Sequence, residues 1–214
     1  MGTQHRVQRR KAATRERLVR SASALFAKHG IYSTTVEDIT EAADVGKGTF
    51  YEQFPSKTAI IRHLLHEGFE DLLEECRRQV HAAATPKERV ELLLRAQFRF
   101  FTTRRPLLIL FHQVRGLLKL QPDHGRPLQR EYERYVRFLN EELGAALDHE
   151  RYSQAELNRM ACAMAGYVTG YLSYLVITGM KKEGFKDLDI PTQLFLDGLV
   201  GNRRLDGRAR GGPP

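Results

Sequence analysis

Between positions 44 and 57 the chain reads Asp-Val-Gly-Lys-Gly-Thr-Phe-Tyr-Glu-Gln-Phe-Pro-Ser-Lys, residue types that suit contact with a polyanion better than bond-making chemistry. A short helix from Lys47 to about Gln53 would turn Lys47, Gly48, Thr49 and Gln53, all small or polar, outward. Phe50 and Phe54, four apart, would turn inward as anchors. Such an outward face is low enough to enter the DNA major groove, which is roughly 12 Å wide. Tyr51 is amphipathic and placed to stack at the rim with its hydroxyl on a phosphate. Lys57 opens the next helix, where a cation opposes the helix dipole, so stability explains it poorly. A phosphate there would be favoured by the lysine and by the free N–H groups of the helix start.

The elements that must hold these residues are legible around them. A helix from about Ala13 to His29 places Leu18, Ala22, Leu25 and Phe26 on one side, and Gly30 supplies the expected stop. Thr35 caps a short helix, Val36 to Ala43, with Asp38 in the place of the usual Glu of a capping box. Asp44-Val45-Gly46 breaks the pattern, Lys47 restarts it, and Pro55 ends it by disfavouring helix at Phe54. Two short helices joined by a tight turn behind a longer support make a helix-turn-helix.

The run Thr34-Thr-Val-Glu-Asp-Ile-Thr-Glu-Ala-Ala-Asp-Val-Gly-Lys-Gly-Thr-Phe-Tyr-Glu-Gln-Phe-Pro-Ser-Lys57, with Leu25-Phe26 and Gly30 upstream, resembles the DNA-binding signature of the tetracycline-repressor (TetR) family over about residues 14–65. The resemblance implies that Thr35, Tyr51 and Lys57 contact phosphates. Lys47, Gly48 and Thr49 would lie at base edges and backbone, with Gln53 at the margin. An arm carrying Arg9, Arg10 and Lys11 would reach an adjacent minor groove. Two residues depart from the family pattern. Gly46 stands where Ser is usual, which loses a hydroxyl contact at little cost in capping. Asp44 replaces a common Gly; it tolerates the left-handed conformation but adds negative charge near DNA.

The remaining pattern is helical. Ser56 opens a long helix, 57 to about 84; further helices are expected over 86–103, 107–120, 128–148, 153–178 and 191–200. Gln121–Pro127 and Gly179–Asp189 read as loops, and Ser153 with Glu156 as a capping box. The expected fold is all-α: a basic flexible arm (1–12), a three-helix helix-turn-helix domain (13–56), a helical ligand-binding and dimerisation domain (57–200), and a disordered basic tail (201–214). Small residues in helix 153–178 permit close helix approach. By resemblance, Ala161, Ala165, Gly166, Val168 and Leu172 would pair with Leu194, Phe195 and Leu199 in a homodimer interface. Phe98, Phe101, Leu107, Phe111, His112, Tyr135, Phe138, Met164, Tyr167 and Tyr171 could line an effector pocket or form an ordinary aromatic core. The stretch Leu107–Leu118, with Arg115-Gly116, resembles regulators of fatty-acid metabolism within the family. An acyl-CoA, a lipid-like acid and an aromatic drug are all open as effectors.

Charge and composition agree with this reading. The net charge of +8 over 214 residues is concentrated at the ends, with Arg6, Arg9, Arg10, Lys11, Arg15 and Arg17 facing only Glu16 near the start. That suits double-stranded DNA as partner. No apolar run approaches the roughly 18–20 residues of a membrane span, and a cytoplasmic protein without a membrane partner is expected. Cys76 and Cys162 lack metal or disulfide spacing and are expected to be buried thiols. His63 and His66, three apart, have nothing to complete a metal site, and no cofactor is expected. No HExxH, G-x-S-x-G, P-loop or paired ExxH pattern speaks for an enzyme. The expectation is a repressor released from a palindromic operator by an apolar or lipid-like effector; the alternatives are a structural DNA-binding protein without effector and, behind it, an all-α enzyme.

Overall fold

The structure is a computed structural model describing residues 2–120, 122–147, 152–178 and 188–200, except for helical side chains at 2–4, 115–120, 122–125, 127–128, 175–176 and 199–200. Among the described residues it holds helices and no strand: α1 (Gly2–His29), α2 (Val36–Ala42), α3 (Lys47–Gln53), α4 (Lys57–Val80), α5 (Pro86–Thr103), α6 (Arg105–Leu120), α7 (Pro122–Ala146), α8 (Gln154–Ile177) and α9 (Asp189–Val200). No helix is long and apolar enough to cross a membrane among these residues. The described residues cluster into two compact units, one within Met1–Leu73 and Thr103–Tyr135, the other within Glu74–Thr102 and Val136–Pro214.

In the first unit α1 packs on α6 and α2, and α2 on α3. Its core is Leu18, Ala22 and Phe26 of α1, Ile31, Ile39, Phe50 and Phe54, with Ile60, Ile61, Leu65 and Phe69 of α4, all buried. Burying such side chains is the main favourable term in folding, each contributing about 1.5–3 kcal/mol. Gly30 terminates α1 at φ 87°, its N–H donating to the Phe26 carbonyl at 3.0 Å. Ile31 N–H donates to Gln113 Oε1 of α6 at 2.8 Å, so the loop after α1 is tied to a helix far along the chain. At Gly68 an added Cβ would overlap the Leu107 side chain, so α4 and α6 approach closely there.

In the second unit the core is Val90, Leu93, Leu94, Phe98 and Phe101 of α5, Phe138, Leu139 and Leu143 of α7, and Leu157, Met164, Val168 and Leu172 of α8, all buried. The Ser153–Glu156 box at the start of α8 is present, with Ser153 N–H donating to Glu156 Oε2 at 2.8 Å.

Three boundaries differ from expectation by more than two residues. α1 begins at Gly2 rather than near Ala13. Residues 5–12 are exposed and carry no apolar stripe, but no proline interrupts them, and Arg, Gln, Lys and Ala extend a helix readily. α7 begins at Pro122, inside the segment expected to be a loop, because proline is well suited to the first turn of a helix. α4 ends at Val80, short of Ala84. The expected loop at 179–187, the basic tail 201–214 and the side chains of Arg115, Gly116 and Leu199 lie outside the described residues.

Candidate nucleic-acid interface

The helix-turn-helix is built by local chemistry. Thr35 Oγ1 accepts from Asp38 N–H at 3.1 Å, and Asp38 Oδ2 accepts from Thr35 N–H at 2.7 Å, closing the capping box of α2. These bonds hold the Asp38 carboxyl below its ordinary range. Thr35 is exposed, and its hydroxyl hydrogen is left over for another acceptor. Asp44 adopts φ 51°, the left-handed turn that joins α2 to α3. Val45 N–H donates back to the Thr40 carbonyl at 3.0 Å. Gly46 caps α3 through its backbone alone.

α3 presents two distinct sides. Phe50 and Phe54 are buried, their ring centroids 6.0 Å apart. Lys47 and Gly48 are exposed, Thr49 and Gln53 half-buried, and Tyr51 is 55% exposed. A Cβ added at Gly48 would meet no atom within 4 Å, so nothing inside the protein demands glycine there. Lys47 pairs with Glu37 of α2, which draws the Glu37 carboxyl below its ordinary range.

Two residues fix α3 and α4 by means that sequence reasoning missed. Arg15 donates from Nη1 to the Gln53 carbonyl at 3.0 Å and lies over the Phe54 ring at 4.1 Å, clamping the end of α3. Lys57 donates from Nζ to the carbonyls of Ile31 and Thr34, both at 2.9 Å. This corrects the expectation that stability does not account for Lys57: it ties the α1–α2 loop to the start of α4. Burial lowers its pKa from the ordinary value, and Asp38 acts in the opposite direction. One of its three N–H donors remains beyond these two bonds. Arg9, Arg10 and Lys11 are exposed along the first part of α1. Thus Thr35, Lys47, Gly48, Thr49, Tyr51, Gln53 and Lys57 all belong to the helix-turn-helix or its flanks.

The residues read as a pocket are divided. Leu107, Phe111, His112 and Tyr135 belong to the first unit. There Phe111 meets Phe69 edge-on at 5.2 Å, and Phe69 stacks on Tyr135 at 5.2 Å. Phe98, Phe101, Phe138, Met164, Tyr167 and Tyr171 belong to the second. There Phe98 meets Tyr171 at 5.7 Å and Tyr167 at 6.2 Å, and Tyr167 donates to the Pro191 carbonyl at 2.8 Å.

The interface assignments on α8 need correction. Ala161, Ala165, Val168 and Leu172 are at most 2% exposed within the single chain, so they cannot form the free face of α8. That face carries Cys162, Ala163, Gly170, Tyr174 and Ile177 instead, with Gly166 at its edge. α9 exposes Ile190 and Leu194, while Phe195 is half-buried against Tyr167 at 5.3 Å. Cys162 is therefore exposed, contrary to expectation; Cys76 is buried, and burial pushes its thiol pKa upward. His63 lies beside Phe54 at 5.6 Å, its pKa lowered by burial and then by Arg15. His66 faces Glu131 at 3.1 Å. Among the described residues no group of three His, Cys, Asp or Glu could hold a metal.

Residues 18–64 match the model of the bacterial regulatory proteins of the tetR family. The helix-turn-helix is thus similar to that of the tetR-family regulators. The tetR-family match spans α2, α3, their turn and the supporting parts of α1 and α4. The chain is 31% identical over 108 residues to the HTH-type transcriptional repressor KstR2 of Mycobacterium tuberculosis (strain ATCC 25618 / H37Rv), covering 50% of this chain and 54% of that protein. The chain thus spans about half the length of this curated relative. Among solved structures, a TetR-family regulator from Syntrophomonas wolfei is similar with a TM-score of 0.74 at 19% identity, over 88% of this chain and 95% of that one. FadR from Bacillus subtilis, solved in complex with stearoyl-CoA, has a TM-score of 0.71 at 20% identity, over 86% of this chain and 97% of that one. These likenesses show that the all-helical fold of those structures is shared over most of this chain.

Proposed function

We propose that this chain is a tetR-family transcriptional repressor that reads a palindromic operator with α3 and is released by a small apolar or lipid-like effector. The observation that carries the reading is the two-sided α3, with Lys47 and Gly48 exposed and Thr49 half-buried beside a buried Phe50–Phe54 anchor, inside the residues that match the family. On this reading Lys47, Gly48 and Thr49 meet base edges, with Gln53 at the margin. Thr35, Tyr51 and the remaining donor of Lys57 contact phosphates, which position the domain without reading sequence. Arg9, Arg10 and Lys11 extend toward a neighbouring groove. The test is selection from random duplex DNA at physiological salt. Enrichment of a palindrome with half-sites about one helical turn, 10–10.5 bp, apart supports the reading. Absence of any enriched sequence from protein stripped of bound small molecules refutes it.

Palindrome recognition requires two copies related by a two-fold axis. The unpartnered apolar and small residues of α8 and α9 supply the surface for a homodimer: Cys162, Ala163, Gly166, Gly170, Tyr174 and Ile177 with Ile190 and Leu194. An added Cβ at Gly166, Gly170 or Gly198 would meet nothing within 4 Å in the single chain, which leaves room for close approach by a second copy. Leu194→Glu is expected to shift the protein from dimer to monomer in analytical ultracentrifugation with its helix content unchanged. A dimer of unchanged affinity would place the interface elsewhere.

For the effector, the proposed site is the aromatic group of the second unit, where Phe98 meets Tyr167 and Tyr171 and apolar rings lie beside phenolic hydroxyls. The FadR of Bacillus subtilis holding stearoyl-CoA supports a lipid-like class. An effector acts only through different affinities for the two states of the protein. In the first unit, α6 is placed to relay such a change, through Gln113 to the loop after α1 and through Leu107 to α4 at Gly68. Gln113→Leu leaves Ile31 N–H without its acceptor and is expected to lower stability by about 1–3 kcal/mol. Operator affinity should fall with it, whereas Gln113→Glu, which keeps an acceptor, should retain both. Thermal melts and operator titrations of the two variants check this.

A further inference from the structure

The first unit contains a cavity of about 390 Å³ behind α3, lined by Arg15, Gln53, Phe54, Pro55, Ala59, Arg62, His63, His66, Arg130 and Glu131. Its charge is one-sided. Arg15, Arg62 and Arg130 face a single carboxylate, Glu131, which already meets His66 at 3.1 Å. Glu67, just outside, lies 3.9 Å from His63. Among the described residues neither Arg62 nor Arg130 has an ion-pair or hydrogen-bond partner. Concave sites lined by one sign of charge concentrate counter-ions. The guanidinium fork matches phosphate and carboxylate oxygens with two parallel bonds. Phe54, Pro55 and Ala59 add apolar surface to the lining. The volume lies within the usual range for small organic ligands, about 300–1,000 Å³, and exceeds what a bare phosphate fills.

We propose that this cavity binds a small organic oxyanion, a phosphate or carboxylate carried on an apolar body, and that its occupancy lowers operator affinity. It is separate from the aromatic group assigned to the lipid-like effector. A concave recess fits a free small molecule better than the convex backbone of a duplex. The coupling follows from Arg15, which lines the cavity and also clamps the end of α3 through the Gln53 carbonyl and the Phe54 ring. An oxyanion that engages Arg15 competes with that clamp and cancels positive charge beside the reading helix. The binding stands independently of the repressor reading; the coupling rests on it.

The test titrates phenyl phosphate, and separately benzoate, into the full-length protein at constant ionic strength while recording amide and histidine-ring NMR signals. Saturable shifts at Gln53, Ala59 and His63 with a Kd below about 1 mM are expected for at least one probe. The double variant Arg62→Ala/Arg130→Ala should weaken that Kd about tenfold or more while leaving signals elsewhere in place. Should the double variant lose its fold, Arg62→Gln alone should still weaken binding. The stronger probe identifies the phosphate or carboxylate class. Shifts that do not saturate, that chloride reproduces, or that persist unchanged in folded variants overturn the site. The same probe should weaken binding to the selected operator in the wild-type protein and do nothing beyond the salt control in the double variant. Saturable binding with unaltered operator affinity overturns the coupling alone, and failure to bind any DNA without probe falls on the repressor reading instead.

Discussion

Gly48→Ala is expected to make the protein slightly more stable and a markedly poorer DNA binder. Glycine in a helix costs roughly 0.5–1 kcal/mol relative to alanine, less in the first turn. At Gly48 the new methyl meets no protein atom within 4 Å, so no clash offsets that gain. The position lies on the exposed side of α3, opposite the buried Phe50 and Phe54. If that side docks in a major groove, the methyl stands between backbone and DNA and prevents close approach. A loss of about tenfold in operator affinity, 1.4 kcal/mol, is expected for alanine, and a larger one for leucine. Thermal melts with operator titrations read the two signs together. Unchanged affinity in the alanine and leucine variants would mean that α3 does not dock by this face.

Lys57→Met should damage both the fold and the binding. Methionine keeps the length of the side chain but removes the donors that hold the Ile31 and Thr34 carbonyls. Hydrogen bonds from charged donors contribute about 1.5–3 kcal/mol each when shielded. Lys57 is only part-buried and water can replace it, so a total loss of about 1–2 kcal/mol is expected. For a chain of this length that is a fall in Tm of roughly 2–8 °C. Binding should weaken on all DNA sequences by about tenfold or more. The slope of log affinity against log salt should flatten by about one unit, as for one lost phosphate contact. A stability loss with an unchanged salt slope would leave Lys57 as a purely structural clamp.

The Lys57 result shows what the sequence reveals and what it hides. Capping boxes at Thr35–Asp38 and Ser153–Glu156 were legible because donor and acceptor are three residues apart. The two sides of α3 and the left-handed turn at Asp44 were legible for the same reason: they are local. The partners of Lys57 lie 26 and 23 residues away, and that of Gln113 lies 82 away, so no spacing rule exposes them. Arg15 read only as part of a basic arm, although it clamps α3 from 38 residues away. In α8 small and apolar residues occur on every side of the helix, so periodicity did not separate the buried line through Ala161, Ala165 and Leu172 from the exposed one through Cys162 and Gly170. Of the aromatic residues read as one pocket, Phe98, Phe101, Phe111, Tyr135 and Phe138 are buried, but composition does not tell which rings meet, and the set divides between two compact units.

The account stands on α3 lying in a major groove. Guanine N7 methylation protection on the selected duplex tests this directly, since N7 is reached only from that groove. Two protected patches on one face of the duplex, centred about 10–10.5 bp apart and lost with Gly48→Leu, are predicted. Full binding with every N7 still reactive, or protection that Gly48→Leu leaves untouched, would contradict it.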